Sequence, residues 1–390
     1  MGIDAIFDSR NWAAVPFQFW SLVFFVFGCI VGSFLNVCIY RMPLGKSVVT
    51  PPSHCPQCNY SIPWFLNIPL FTWLSLRGRC KNCDAAISVR YFLVELLTGV
   101  VFLSCWLGFG ERSALLALVY CLFLAGLIVA TFIDFEHFII PDEITIGGIV
   151  VGVICSFAVP ALHGMRSLAS SMKESFWGAA LGGGLIYFVL RGGKLLFGRQ
   201  KLGLASESKI TFTETSLVLP DKEILYEDLF YRKSDVIALN ARTAELVDRC
   251  YKDVVVRLSP ATLRIGEETF NPEEVPHLEV MAGEIVLPRE AMGLGDVKFM
   301  AAIGAFLGWQ AVIFSLMVSS LIGSVVGVTL IALKQRVLGS RLPYGPYIAL
   351  AAAMWIFLPG HLQEAWVWNL RAAGYLLFRI PMPEFRPTGM

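Results

Sequence analysis

Two aspartates, Asp134 and Asp296, each stand where a hydrophobic segment meets water, and both could work on one reacting group. An ionisable residue at a membrane span is costly, so each is a functional candidate by default. Two carboxyls that share one proton around a single water can hydrolyse an amide bond. The ionised member takes a proton from the attacking water, and the protonated member hydrogen-bonds the carbonyl. The flanking sequences are Thr131-Phe-Ile-Asp134-Phe-Glu-His-Phe-Ile-Ile-Pro141-Asp142 and Gly293-Leu-Gly295-Asp296-Val-Lys298. Gly293 and Gly295 would let an extended substrate backbone approach closely. The plainer alternatives are a capped helix-end carboxylate at Asp134 and a helix-starting glycine turn at Asp296. For Asp142 the plain reading wins, because Pro141 followed by two acids is a helix start that complements the dipole. Lys298 either snorkels to lipid phosphates or steadies the site. His54, His137, His163, His277 and His361 are far apart, and no GxSxG or HExxH motif occurs to supply a competing set.

A second constellation is Cys55-Pro-Gln-Cys58 with Cys80-Lys-Asn-Cys83. Paired CxxC turns can set four thiolates tetrahedrally around one zinc ion. The alternatives are unpaired structural thiols or a redox pair. Four protein ligands leave no open position on the metal, so the ion would brace the loop rather than act on a substrate. The other six cysteines are scattered, mostly in apolar segments, and read as small apolar residues.

The elements that must position these groups are membrane helices. The chain is 56% hydrophobic and 16% charged with a mean hydropathy of +0.65, too apolar for an ordinary soluble domain. Its net charge of +1 argues against nucleic-acid binding, which needs a clear basic excess. Windows of about 20 residues, the length that crosses the hydrocarbon, predict about eight spans. They cover residues 17–39, 92–109, 112–133, 143–161, 176–197, 296–309, 310–333 and 343–359. The fold class predicted is an all-α polytopic membrane protein with a zinc-binding loop and a small β-rich insert. Arg41, Lys46, Arg77, Arg79, Lys81 and Arg90 face a single acid, Asp84, in the first loop, and Lys334, Arg336 and Arg341 follow the seventh span. By the positive-inside rule these loops are cytoplasmic, both termini are outside, and Asp134 and Asp296 share the cytoplasmic face. The connection holding Arg166 and Lys173 is a small exception.

Six regions follow: the first span (1–40), the cysteine loop (41–91), spans two to five (92–198), an insert (199–290), spans six to eight (291–360) and a tail (361–390). The insert holds 12 Lys and Arg and 17 Asp and Glu, so nearly half of all charges occupy less than a quarter of the length. Lys209–Thr215, Asp253–Leu258 and Glu284–Leu287 read as strands, and Asn240–Tyr251 as a helix. Gly178, Gly182, Gly183 and Gly184 in the fifth span predict tight helix packing. No internal repeat is evident. Glu95, one turn inside the second span, is either an interfacial carboxylate paired with Arg90 or Arg41, or a substrate-binding group.

The series Gly32-Ser-Phe-Leu-Asn-Val-Cys-Ile-Tyr-Arg-Met-Pro43, the paired CxxC, Arg90-Tyr91 with Val94-Glu95-Leu96, the Asp134 segment, Gly293 through Trp309, and Pro343-Tyr-Gly-Pro346 resembles the type IV prepilin leader peptidases of bacteria. The Gly-x-Gly-Asp signature is similar to that of intramembrane aspartyl proteases. The resemblance implies Asp134 and Asp296 as catalytic residues, with Gly293, Gly295, Glu95 and Lys298 near the substrate. It implies cleavage of the basic leader of type IV prepilins or type II secretion pseudopilins after a glycine, at the cytoplasmic face of the inner membrane. Many such enzymes then methylate the new N-terminus with S-adenosylmethionine; no Gly-rich nucleotide loop supports that step here. The main rival is a proton- or cation-coupled transporter using the carboxylate pair, which should show paired repeats and broken helices. A non-enzymatic assembly platform would need no Gly-x-Gly-Asp. Helix dipoles would place the shared proton on Asp134, at a C-terminal end, and leave Asp296 as the base.

Overall fold

A computed structural model describes residues 16–197, 199–220, 222–226, 229–230, 235–246, 248–275, 277–288, 293–333 and 342–378. The chain forms two compact units, residues 1–186 with 294–390, and residues 187–293.

The first unit is helical. Its helices are α1 (Phe17–Arg41), a short α2 (Phe71–Ser75), α3 (Val89–Phe109), α4 (Ala114–His137), α5 (Asp142–Ala158), α6 (Leu168–Phe197), α7 (Leu294–Ala332), α8 (Gly345–Phe357) and α9 (Gly360–Phe378). Among the described residues, α1, α3, α4 and α7 are long and apolar enough to cross a membrane. A fifth span is added if α8 and α9, bent by 113° against one another, count as one. The structure thus has four to five candidate spans against the eight predicted. The difference has local causes: α5 is only 17 residues long, and Gly178, Gly182, Gly183, Gly184 and Arg191 dilute the apolar stretch of α6. At 1.5 Å per residue α7 would be about 58 Å long, nearly twice the hydrocarbon thickness. It breaks at Gly308, whose φ of 79° is non-helical, where the sequence predicts a boundary between two spans. The predicted tail begins with a helix, α9, that the sequence reading omitted. Leu22, Leu93, Leu321, Val325 and Val328 stay half to two-thirds exposed on these helices, the mark of an apolar surface awaiting another partner.

Close packing depends on missing side chains. A Cβ at Gly28 would lie 2.8 Å from the Gly99 Cα, and one at Gly32 would lie 2.7 Å from the Glu95 Cα. Helices α1 and α3 therefore meet backbone to backbone, and the Gly32-Ser-Phe-Leu-Asn36 run has a packing cause. Asn36 locks the contact by donating from Nδ2 to the Tyr91 carbonyl at 3.0 Å. Likewise a Cβ on Gly304 would come within 2.0 Å of the Gly178 carbonyl, and one on Gly182 within 2.4 Å of the Met300 carbonyl. The predicted packing role of the α6 glycines holds for Gly178 and Gly182, whereas Gly184 faces open space. Phe123 packs against Phe306 with centroids 4.6 Å apart and rings tilted by 37°, joining α4 to α7.

Among the described residues the second unit is one antiparallel sheet of eight strands, including β2 (Ser216–Leu219), β3 (Lys222–Leu225), β4 (Ile237–Glu245), β6 (Leu263–Ile265) and β7 (Glu268–Phe270), in the order β3-β2-β1-β8-β4-β5-β6-β7. Strands β5 (Cys250–Leu258) and β8 (Leu278–Pro288) contain the predicted runs Asp253–Leu258 and Glu284–Leu287, whereas β1 (Arg199–Phe212) holds only the first part of Lys209–Thr215, whose last three residues form the turn into β2. Ile210, Leu217, Ile237, Ile265, Leu278 and Ile285 are sealed in its core. The predicted helix Asn240–Tyr251 is instead the end of β4 (Ile237–Glu245) and the start of β5, paired from Ile237 opposite Leu258 to Glu245 opposite Cys250. The Ala and Glu content suggested a helix, but buried and exposed positions largely alternate along β4 and the sheet overrides the local preference.

Candidate active site and cysteine metal centre

Asp134 lies in the last turn of α4, which ends when Phe138 takes a left-handed conformation and donates its N–H to the Asp134 carbonyl. Asp296 lies in the first turn of α7. Both are buried, at 5% and 9% exposure, and the Asp296 charge acts directly on Asp134. The fold thus unites two residues 162 positions apart in the chain. Ile140 packs into the same corner: a Cβ on Gly295 would be 3.5 Å from its Cβ, and one on Gly345 would be 3.1 Å from its Cδ1. The 3.5 Å distance is ordinary contact, so packing by itself does not demand glycine at 295. Gly293 lies just outside α7.

The third element of the corner was not foreseen. The Gly345 N–H, at the N-terminal end of α8, donates to Asp134 Oδ2 at 2.9 Å. A Cβ at Gly345 would fall 2.8 Å from that oxygen. The Tyr344 hydroxyl holds this helix start to α7 through Ser319 and Ser320, each at 2.9 Å. The Pro343-Tyr-Gly-Pro346 run thus presents a backbone donor to the carboxyl, opposing the α4 dipole on which the predicted proton placement relied. The run was visible in the sequence, but nothing there linked it to Asp134.

Asp142 begins α5, with Pro141 at the capping position just before it rather than inside the helix. It pairs with Lys298 at 2.6 Å on an exposed surface. Arg90 pairs with Glu136, and Arg41 donates to the Ser47 and Pro51 carbonyls at 3.1 and 2.7 Å. Among the described contacts, neither arginine pairs with Glu95. Its buried carboxylate instead accepts the Leu70 N–H at 2.7 Å and hydrogen-bonds Ser33. The predicted ion pair is thus replaced by a tie between α3, α1 and the cysteine loop.

Sγ atoms of Cys55, Cys58, Cys80 and Cys83 all lie within 4.8 Å of one another. Cys55 and Cys83 are 3.8 Å apart, and Cys58 and Cys80 are 4.0 Å apart. A tetrahedral zinc site with Zn–S near 2.3 Å requires S···S separations of about 3.8 Å, which the Cys55–Cys83 and Cys58–Cys80 pairs already approach. Each CxxC lies on a turn of the same build. Asn59 N–H bonds the Cys55 carbonyl and Cys55 N–H the Tyr60 carbonyl; Asp84 N–H bonds the Cys80 carbonyl and Cys80 N–H the Ala85 carbonyl. Asn59 and Asp84 both have φ of 53°. The loop therefore holds a repeat, Cys-x-x-Cys-Asn/Asp-x-x-Ile, that the sequence reading overlooked. The Asn82 amide donates to Cys58 and pulls its thiol down to about 6; the Asn82 and Cys83 N–H groups lower Cys80. Cys58 thereby offers a thiolate at neutral pH, the form that binds metal, whereas Cys83 is pushed up to about 12 beside Cys58 and Cys80.

Comparison with known proteins agrees with this arrangement. The model of the bacterial peptidase A24 N-terminal domain matches residues 26–109, and that of the type IV leader peptidase family matches residues 121–205 and 277–328. A prepilin leader peptidase/N-methyltransferase of Myxococcus xanthus is 45% identical over 159 residues, covering 40% of this chain and 44% of that relative. One from Aeromonas salmonicida is 29% identical over 374 residues, covering 88% and 91%. A type 4 prepilin-like proteins leader peptide-processing enzyme of Escherichia coli is 42% identical over 149 residues, 34% and 55%. No solved structure matches the chain. The two family models fall in chain order on the cysteine loop and on both aspartates, cover together more than half of the chain, and skip most of the β-sheet insert, so the protein belongs to the type IV leader peptidase family.

Proposed function

We propose that this protein is a membrane aspartyl endopeptidase. It cleaves the basic leader of type IV prepilins or type II secretion pseudopilins after a glycine, at the cytoplasmic face of the bacterial inner membrane. The observation that carries the reading is the burial of Asp134 and Asp296 in one corner, at the end of α4 and the start of α7. The dyad shares a proton around one water, which attacks the scissile carbonyl while the protonated carboxyl polarises it. The Gly345 N–H holds Asp134 in place during the step. Gly293 and Gly295 admit the substrate backbone. Lys298, paired with Asp142, and Glu95, tied to Leu70, shape the surroundings.

The four cysteines hold one zinc ion that braces the loop. Methylation of the new N-terminus, as the relatives' names describe, would use S-adenosylmethionine as methyl donor. Among the described residues no glycine-rich loop joins a strand to a helix in the manner of a nucleotide site, so no residue is assigned to it. The reading adopts about eight spans, with the break at Gly308 and the short α5 counted. The six regions keep their sequence boundaries, and the dyad, cysteine loop and insert face the cytoplasm. Membrane lipid and the prepilin are the partners.

The test is co-expression with candidate prepilins. Wild type should give a leader-sized mobility shift, Asp134→Asn and Asp296→Asn should abolish it while staying in the membrane, and Asp142→Asn should retain it. An inactive Asp142→Asn beside an active Asp134→Asn would overturn the assignment.

A further inference from the structure

The segment between the two cysteine turns is apolar on the wrong side for a water-exposed loop. Ile68, Phe71 and Leu74 recur every three residues and are 45%, 66% and 57% exposed. The opposite side of the same segment is fixed to α3. Trp73 packs on Phe92 with centroids 5.3 Å apart and donates from Nε1 to the Ile87 carbonyl at 3.3 Å. The Leu70 N–H reaches the Glu95 carboxylate at 2.7 Å, and Leu70 accepts a left-handed φ of 62° to do so. Glu95 is six residues beyond the first residue of α3, about 9 Å along its axis. The loop therefore reaches back along the flank of a helix apolar enough to span a membrane, to the level of its second turn. Val89, Leu93 and Leu97 of that helix are 53%, 49% and 43% exposed, so α3 itself keeps an open apolar face. Exposed Lys46, Arg77, Arg79 and Lys81 lie in the same loop, where they would meet anionic headgroups.

We propose that residues 63–76 form an interfacial foot, with Ile68, Phe71 and Leu74 inserted at the headgroup–acyl boundary of an anionic bilayer beside α3. Its aromatic content, flanked by the cations Arg77, Arg79 and Lys81, is that of segments which lie in the membrane plane. Glu95 and Trp73 are the ties that hold the foot at this depth. The inference rests on α3 being a membrane span and is independent of the proteolytic reading.

The test places an environment-sensitive fluorescent amino acid at position 71, and separately at 74, in the full chain. The protein is reconstituted in vesicles of phosphatidylethanolamine and phosphatidylglycerol brominated near the top of the acyl chain. Position 93 serves as the lipid-facing reference and exposed Gln57 as the aqueous one. Brominated lipid should quench the probe at 71 and at 74 as it does at 93, with aqueous iodide excluded, and replacing phosphatidylglycerol by phosphatidylcholine should weaken the effect. Quenching by iodide and not by lipid at both positions would overturn the proposal. Lipid quenching that vanishes on adding an uncleaved prepilin would also overturn it, by showing that the face receives the substrate's apolar segment instead.

Discussion

Replacing Gly345 by alanine adds one methyl group beside the dyad, and the structure gives the size of the effect. The new Cβ would sit 2.8 Å from Asp134 Oδ2 and 3.1 Å from Ile140 Cδ1. Both are shorter than ordinary carbon contacts, so either the start of α8 or the carboxyl must retreat. Either movement stretches the 2.9 Å bond from the Gly345 N–H to Asp134. A hydrogen bond to a charged group contributes about 1.5–3 kcal/mol, so its loss lowers kcat/KM roughly 10- to 100-fold where it positions the reacting carboxyl. Helix α8 itself should persist, because alanine is the better helix former. The assay is initial-rate cleavage of purified prepilin in proteoliposomes, with Gly360→Ala as control, since nothing lies within 4 Å of a Cβ there. Full activity in Gly345→Ala would refute the argument. So would an equal loss in Gly360→Ala, by showing that the assay reads general damage.

Other expectations follow from separate parts of the molecule. Elemental analysis of unchelated protein should find about one zinc per chain, lost in Cys55→Ser combined with Cys80→Ser. Because the Cys58 thiol is lowered from its ordinary 9.0 to about 6, its thiolate is present above that pH and is lost as pH falls through it. Zinc uptake by stripped protein should therefore weaken below about pH 6, and Asn82→Ala should move the loss to higher pH; a midpoint unchanged by that substitution would remove the role given to Asn82. Residues 199–290 expressed alone should give a β-rich circular dichroism spectrum, and deleting them with a short Gly/Ser bridge should leave at least partial cleavage; complete loss in a stably inserted variant would make the sheet part of the machinery. Gly304→Ala, whose Cβ would meet the Gly178 carbonyl at 2.0 Å, should destabilise by about 1–3 kcal/mol as overpacking does. Gly184→Ala, facing open space, should leave the midpoint of thermal unfolding in detergent unchanged.

The sequence made some of this legible and hid the rest for definable reasons. Asp134 and Asp296 could be paired because charge in an apolar segment is rare, and because hydropathy put both at segment ends. The CxxC spacing carried its own geometry. By contrast, the Gly345 donor is a backbone group, and no side-chain pattern advertises where a main-chain N–H will point. Glu95 was matched to arginines because opposite charges are the obvious partners, yet Arg90 had Glu136 and a backbone amide took the carboxylate. Asn240–Tyr251 was misread because local propensity carries no knowledge of β5 and β8, which flank it. The repeated cysteine turn could have been found by aligning Cys55-Pro-Gln-Cys58-Asn59 with Cys80-Lys-Asn-Cys83-Asp84. It was missed because two copies of a short pattern differ at most of their variable positions.

Strands β1 and β8 bear on how such a chain can change. Arg199, the first residue of β1, stands opposite Pro288, the last of β8, so the insert leaves and returns at adjacent points, about 5 Å apart as in any antiparallel pair. For the polypeptide on either side, some ninety residues of sheet therefore occupy the space of a tight turn. Insertions whose ends meet are the ones that chains tolerate and exchange. An element with such ends is one that a single insertion or deletion can add or remove as a unit.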